Sequence, residues 1–336
     1  MKQKNRIKGG VKTPHYKNTA KAETKVMPAP EKVEITMLHH IGAPCLPTVG
    51  KGEQVFVGTK IGDSDKFVSA PIHSSVSGTV TEIKKRLMSN GAYVDSVVIK
   101  SDGLQTIDPA IEPPVVNTRE DFIRAIRESG LVGLGGAGFP AHVKLNPPKD
   151  KKIDYLLINA AECEPYITSD YRESIENSWN VISGINIVMD FLGIENVLIG
   201  VEDNKPATVK VLNDIADTDK KITAVSLKSK YPQGAEKMLI YALTGRKVPA
   251  GGLPMDVGVI VMNVASVSFV AKYLKTGMPL VRKRLTVDGA VVREPANVDA
   301  CIGTYIKDLI DFCGGFTEEP YKILMGGPMM GVAQYT

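Results

Sequence analysis

Four short, largely apolar runs, separated by stretches with helical spacing, constrain this chain more than any other feature. They are Tyr155-Leu156-Leu157-Ile158-Asn159, Asn196-Val197-Leu198-Ile199-Gly200, Val225-Ser226-Leu227 and Val257 to Met262. Each has the length of a strand, and most carry apolar side chains on successive rather than alternate positions. A strand apolar on both faces must be covered on both, which is the condition of a parallel sheet wrapped by helices. The intervening segments supply those helices: Tyr171 to Leu192, stopped by Gly193; about Pro206 to Ala216; Ala235 to Leu243, closed by Gly245; and about Ala265 to Thr276. Such sheets bind ligands at the carboxyl ends of their strands. The positions to watch are therefore Asn159 to Pro165, Glu202 to Asn204 and Asn263 to Ser266.

Ahead of the first strand, Gly133-Leu-Gly-Gly-Ala-Gly-Phe-Pro-Ala-His-Val-Lys144 places four glycines in six positions. Lacking Cβ atoms, their backbone N–H groups can come close to a phosphate, and Lys144 can add a point charge. Gly133-x-Gly135-x-x-Gly138 satisfies the dinucleotide fingerprint, but that fingerprint follows a strand and opens a helix. Here the preceding segment, Thr118 to Gly130, itself reads as a helix. Asn117 or Thr118 caps it, Glu120 and Asp121 fill its first turn, and Phe122, Ile123 and Ile126 share a face. The ordinary dinucleotide turn is excluded, and a phosphate-binding glycine loop of another kind remains.

Flanking regions have a different character. Residues 1–30 are polar and read as an extended segment, with Lys2, Lys4, Arg6 and Lys8 forming a solvated basic tail. Residues 31–110 carry short β-like runs between glycine turns, with Val55-Phe56-Val57, Phe67-Val68, Thr79-Val80-Thr81 and Val97-Val98-Ile99 marked as strands. That spacing suggests a small all-β sandwich or barrel, followed by a proline-rich linker from Ser101 to Asn117. The α/β region spans 118–277. Residues 282–336 read as a smaller mixed unit of β-grasp type, with a hairpin over Arg284–Arg293 turning at Asp288-Gly289 and a helix from about Thr304 to Phe312. The abrupt end at Thr336 reads as a truncation.

At 336 residues, 43% hydrophobic and 23% charged, the chain has material for two or three cores. A net charge of +4, with no basic run interleaved with aromatics, argues against nucleic acid as a partner. The longest apolar run, Val257 to Ala271, is too short to span a bilayer. Cys45, Cys163, Cys301 and Cys313 are scattered without a C-x-x-C, so no metal or iron–sulfur ligand set is read here. Asp65-Lys66 resembles the lysine-bearing turn of carrier domains only superficially, and an exposed turn lysine is the better reading.

Within the α/β region, Glu162 and Glu164 follow a buried strand and are pinned by Pro165. They orient a ribose or reacting ring, or they cap the following helix; spacing alone leaves both open. Gly234-Ala235-Glu236-Lys237 opens a helix, as an anion site or simply as a helix start. Asn263 is a phosphate donor or a plain N-cap.

Taken in order, Gly-x-Gly-Gly-Ala-Gly-Phe-Pro-x-x-x-Lys, Asn-Ala-x-Glu-x-Glu-Pro, Tyr-x-x-Gly-x-Glu and Asn-Val before a helix resemble the NADH- and FMN-binding subunit of respiratory complex I. Gly9-Gly10-Val-Lys-Thr-Pro, His40-Ile-Gly-Ala-Pro44 and Ser69-Ala-Pro-Ile-His-Ser-Ser-Val-Ser-Gly78 narrow the resemblance to the C subunit of the Rnf complex, the ferredoxin:NAD oxidoreductase of bacterial membranes. That resemblance implies a multidomain α/β chain with three parts: an N-terminal lipoyl-like β-sandwich, a central Rossmann-like FMN/NADH domain and a C-terminal β-grasp domain. It further implies 4Fe-4S clusters on a segment beyond this chain, membrane subunits of the complex and a ferredoxin-linked iron–sulfur subunit as partners, and a peripheral place on the cytoplasmic side of the membrane. Carried over by position, Gly133, Gly135, Gly136, Gly138 and Lys144 resemble the loop for FMN phosphate and NADH. Asn159 and Glu162 match flavin-side contacts, and Phe139 an aromatic that stacks on adenine. Glu164 matches a carboxylate near the nicotinamide, Glu236 a carboxylate beside the dinucleotide, and Asn263 a phosphate contact. The chain departs from the complex I pattern at Leu134, Ala161, Ala235 and Met262, which stand for Arg, Asp, Glu and Asn. A cobalamin-reductase-type flavoprotein and a non-catalytic docking scaffold with a degenerate nucleotide fold are the alternative readings.

Overall fold

The computed structural model describes residues 5, 7, 9–216 and 221–334. Lys2, Lys4, Arg6 and Lys8, read as a solvated tail, lie outside the described residues. The rest of the N-terminal segment is extended but not loose: it runs over two later parts of the chain, and its β1 (Lys25–Val26) joins a sheet formed by residues 282–301.

The first unit is all-β. It contains β2 (Lys32–Thr36), β3 (Leu46–Pro47), β4 (Gln54–Val55), β5 (Lys60–Asp63), β6 (Ile72–His73), β7 (Gly78–Leu87) and β8 (Tyr93–Ser101). They form two antiparallel sheets, β2-β8-β7-β4 and β3-β5-β6, around Val33, Ile35, Ile61, Val80, Val97 and Ile99. Phe67-Val68, expected as a strand, is a bend instead. Phe67 is 65% exposed, and its backbone follows the turn in which Asp63 Oδ1 accepts from Ser64 N. Aromatic and β-branched content signalled β-propensity there, but no partner strand lies alongside.

The helix α1 (Arg119–Glu128) comes next, and Thr118 closes a capping box with Asp121 at its start. After the glycine loop and the single turn α2 (Ala141–Lys144) comes the central sheet. Its strands are β9 (Tyr155–Ala160), β10 (Asn196–Glu202), β11 (Lys221–Leu227) and β12 (Val259–Asn263), all parallel and ordered β11-β10-β9-β12. The connecting helices are α3 (Ser169–Glu176), α4 (Ser178–Leu192), α5 (Pro206–Ile215), α6 (Glu236–Thr244) and α7 (Val264–Thr276). Alternate residues of each strand serve opposite faces. Leu156, Ile158, Ile260 and Met262 pack with residues of α1, α4 and α7, while Leu157, Val259 and Val261 pack with α6. This two-sided burial explains the continuous apolar runs of the sequence.

The third unit is a three-stranded sheet, β1-β14-β13, of β13 (Arg282–Val287) and β14 (Ala296–Cys301) with the borrowed β1, beside α8 (Ile306–Phe312). A hairpin of β15 (Ile323–Met325) and β16 (Val332–Gln334) follows. The hairpin expected over Arg284–Arg293 is not formed. Arg282–Val287 pairs with Ala296–Cys301, and residues 288–295 are the connection. Val291 and Arg293 instead bond Thr317 and Gly315, and Pro295 offers no N–H to continue a ladder.

The contact between α4 and α7 fixes one face of the central sheet. At Gly184 an added Cβ would sit 1.9 Å from Val267 O, so this crossing tolerates only glycine. Gly184→Ala should lower stability by about 1–3 kcal/mol through overpacking, read as a fall in Tm with the far-ultraviolet circular dichroism otherwise unchanged.

Candidate functional site

From β9 the chain moves outward through β10 to β11, then returns to place β12 on the opposite side of β9. The order therefore reverses between β9 and β12, and sheets of this kind open a crevice at their carboxyl ends at that point. Two asparagines mark it. Asn159 near the end of β9 and Asn263 at the end of β12 are paired in register.

The glycine loop packs onto this crevice. A Cβ on Gly135 would lie 2.1 Å from Asn263 Nδ2, so only glycine permits the approach. Leu134 N donates to Ser266 Oγ at 3.0 Å, and Gly133 N donates to Phe139 O at 2.9 Å, closing the loop. Gly138 takes a left-handed φ of +69°, and a Cβ there would meet His39 O of the β unit at 2.8 Å. Gly135, Gly136 and Ala137 are exposed, and no heavy atom comes within 4 Å of a Cβ position on Gly136. Phe139 is half-buried beside them. The loop is braced from behind and open in front.

Lys144 points from α2 to Glu236 at the start of α6, an ion pair of 2.9 Å with both side chains partly exposed. An exposed pair of this type contributes less than about 1 kcal/mol, so an incoming anion can compete for the ammonium. Asn159 Nδ2 donates to Gly234 O at 2.8 Å and its Oδ1 accepts from Ala161 N, tying β9 to the turn before α6. Asn263 acts at both ends of its amide. Its Oδ1 caps α7 by accepting from Ala265 N and Ser266 N, while Nδ2 donates to Asp170 Oδ2 at 2.7 Å.

The two glutamates after β9 separate. Glu162 is buried and caps α3, accepting from Asp170 N at 2.7 Å and Tyr171 N at 3.4 Å. Burial raises its pKa, and Lys17 and Lys205 oppose that rise. Glu164 does not cap the helix. Its Oε2 accepts from Met329 N at 2.9 Å in the β15–β16 turn, where a Cβ on Gly327 would come within 2.2 Å. Its Oε1 is buried without a partner. An orphan acceptor costs about 1–3 kcal/mol unless some donor reaches it.

Several residues near the crevice gave no signal in the sequence. Asp170, next to Asn263, is pushed up to about 7, first by burial and then by the charge of Glu162. Asp at a helix start was its only local cue. Lys283 of β13 is exposed, and its charge opposes the rise of Asp170. Lys205 is buried against Glu202 at 3.2 Å and donates to Glu162 O at 3.2 Å. Lys17, from the N-terminal segment, donates to the carbonyls of Glu162, Glu164 and Ile167. Tyr166 in that loop has a φ of +67°, a strain of about 1–3 kcal/mol for a bulky residue.

A separate depression of about 300 Å³, lined by Arg119, Ile123, Arg124, Arg127, His142 and Lys149, shares no residue with the crevice. Among the described residues no group of three or more His, Cys, Asp or Glu is placed to hold a metal ion, and no helix is long and apolar enough to cross a membrane.

Residues 126–272 match the family described as the Nuo51 FMN-binding domain, so the crevice belongs to a domain of the complex I flavin-binding class. Residues 5–104 match the RnfC barrel sandwich hybrid domain and residues 284–333 the SLBB domain. The chain is 46% identical over 335 residues to the C subunit of the Na(+)-translocating ferredoxin:NAD(+) oxidoreductase complex of Acetobacterium woodii, covering 98% of this chain and 75% of that one. It is 46% identical to the proton-translocating counterpart of Clostridium ljungdahlii, with 98% and 72% covered. It is 36% identical to the C subunit of the ion-translocating oxidoreductase complex of Rhodobacter capsulatus, with 97% and 64% covered. The protein belongs to this family, the C subunits of Rnf-type ion-translocating ferredoxin:NAD(+) oxidoreductase complexes. In fold it is also similar to a chain of an NAD+-reducing [NiFe]-hydrogenase in the H2-reduced state, with a TM-score of 0.52 and 21% identity over 62% of this chain and 41% of that one.

The raised Asp170 has a consequence for stability. Its ordinary value is 3.8, so its stabilising contribution is full below about pH 4 and is lost as pH rises through about 7. Asp170→Asn keeps a neutral group facing Asn263. Thermal melts from pH 4 to 8 should show the variant gaining on the wild type as pH rises, with the difference levelling off above about 7.

Proposed function

We propose that this chain binds FMN in the crevice between β9 and β12 and NAD(H) across the glycine loop, passing electrons between the nicotinamide and an iron–sulfur path. The observation that carries the reading is the seating of the loop: Gly135 lies against Asn263 at the switch point, with open space in front of Gly136. The residues suit such a ligand. Cβ-free backbone, a lysine held only by an exposed ion pair, and an orphan carboxylate oxygen on Glu164 are complementary to a phosphate and to a polar ring. On this reading the three units are a lipoyl-like sandwich over 31–110, a Rossmann-like domain over 118–277 and a β-grasp unit over 282–336.

Bound FMN would supply the conversion between a two-electron hydride and single electrons. The chain supplies position. Gly133, Gly135, Gly136 and Gly138 let the backbone reach a phosphate, and Lys144 turns from Glu236 to it. Asn159, Glu162 and Asn263 fix the floor of the crevice. Phe139 offers a face for adenine, and Glu164 orients the nicotinamide as the catalytic carboxylate. The electrons' onward route runs through 4Fe-4S clusters and a ferredoxin-linked subunit, with the chain docked on membrane subunits at the cytoplasmic face.

Flavin titration of the purified chain tests this directly. Lys144→Ala should weaken FMN or NADH roughly tenfold to a hundredfold, the worth of a hydrogen bond to a charged group, and Gly135→Ala should weaken FMN by displacing Asn263. Unchanged affinity for both ligands in calorimetry would remove the loop from the site. Glu164→Gln should leave FMN bound and the melt unchanged, yet slow flavin reduction by NADH roughly tenfold to a hundredfold in stopped flow.

A further inference from the structure

We propose that Lys17, carried on the N-terminal segment, is a positioning residue of the reaction centre: its ammonium sets the backbone of the 162–167 loop, and through it the carboxylates of Glu162 and Glu164. The inference rests on the site reading above.

A lysine ammonium has three N–H donors and no acceptor. Lys17 uses all three on one loop, reaching Glu162 O at 2.9 Å, Glu164 O at 2.8 Å and Ile167 O at 2.5 Å. Three carbonyl dipoles aimed at one point repel one another, and a positive donor placed there offsets that repulsion. Two of the three belong to the glutamates of the site. The ammonium therefore acts on both carboxylates without touching either one.

The segment around Lys17 is shaped to the same loop. His15 O accepts from Tyr166 N at 3.0 Å, and the rings of Tyr16 and Tyr166 stack with centroids 5.0 Å apart and planes 16° from parallel. Both tyrosines have left-handed φ, 44° and 67°. Two bulky residues in this sparse region, pressed face to face, persist only because each is held by the other side. Thr19 Oγ1 bonds Thr168 Oγ1 at 2.5 Å, and Asn297 Nδ2 of β14 donates to Thr19 O, which anchors the far end of the strap. Lys205 also reaches Glu162 O, but its own charge is committed to Glu202 and it touches no other carbonyl of the loop.

Charge state supplies the readout that a passive staple would lack. Burial holds Lys17 down to about 8, with Glu162, Glu202 and Cys163 opposing that shift and Lys205 adding to it. Above that pH the neutral amine keeps two N–H groups, so one carbonyl of the loop loses its donor.

The test uses the full chain with added FMN, comparing wild type, Lys17→Met and Lys17→Arg. Hydrogen exchange over residues 162–168 should speed at least tenfold in Lys17→Met, less in Lys17→Arg, with exchange in β9 and β10 unaltered. Flavin reduction by NADH should slow roughly tenfold to a hundredfold in kcat with little change in KM. The wild-type rate should fall as pH rises through about 8, and Lys17→Met should lose that limb. Unchanged exchange overturns the proposal, as does faster exchange with an unaltered rate and pH profile, which would make Lys17 a staple only. If Lys17→Met does not fold, Lys17→Arg decides: a wild-type rate and pH profile in it overturns the idea. A wild type that takes up no FMN defeats the site reading instead, and exchange alone then decides whether Lys17 sets the loop.

Discussion

Strand β9 is hydrogen-bonded to β10 on one edge and β12 on the other, with helices covering both faces, so its carboxyl end cannot move without breaking the central sheet. From that fixed end hang Asn159, Glu162 and Glu164. The glycine loop is then located by a second constraint, the contact of Gly135 with Asn263 on the neighbouring strand. The β unit adds a third through His39, which lies behind Gly138, and Ile41, whose N–H bonds Gly138 O. The glycine loop is thereby placed on rigid elements.

What the sequence made legible was local or periodic. Apolar runs at 155–159 and 196–200 announced buried strands, Thr118 announced the start of α1, and the four glycines announced a backbone that something approaches. The errors have a common cause. Phe67-Val68 has strand composition but no neighbour, and Val291 pairs with Thr317 rather than across the Asp288-Gly289 turn. Pairing is a property of partners far along the chain, which a window of residues does not contain. Lys17 was hidden for the same reason, since its acceptor on Ile167 is 150 positions away. The comparison with complex I motifs pointed to Glu162 and Glu164 but could not separate the helix cap from the carboxylate held by the β15–β16 turn.

Charge around the crevice is unusually enclosed. Glu202 and Lys205 form a pair with side chains 1% and 5% exposed, and Glu162 and Asp170 crowd the adjoining space. Buried ions gain little net stability, because desolvation offsets their attraction. Their effect here is on specificity. Lys17 and Lys205 both donate to the carbonyl of Glu162, and Glu162 in turn accepts from Asp170 N, so the loop after β9 is held from several sides. Apolar residues of equal volume would fill the same space while leaving the glutamates free to turn.

The borrowed strand β1 has a temporal meaning. Lys25 and Val26 leave the ribosome long before their partners Val298 and Asp299, which follow more than two hundred positions later. At about 5–20 residues per second, the strap waits some tens of seconds for the sheet it completes. The contacts that seat Lys17 itself, to Tyr166 and Thr168, are with residues made much earlier, so only the far end of the strap waits for β14. The N-terminal segment thus joins the first residues of the chain to its last unit, and β1 takes its place in that sheet only after the whole α/β region has been made.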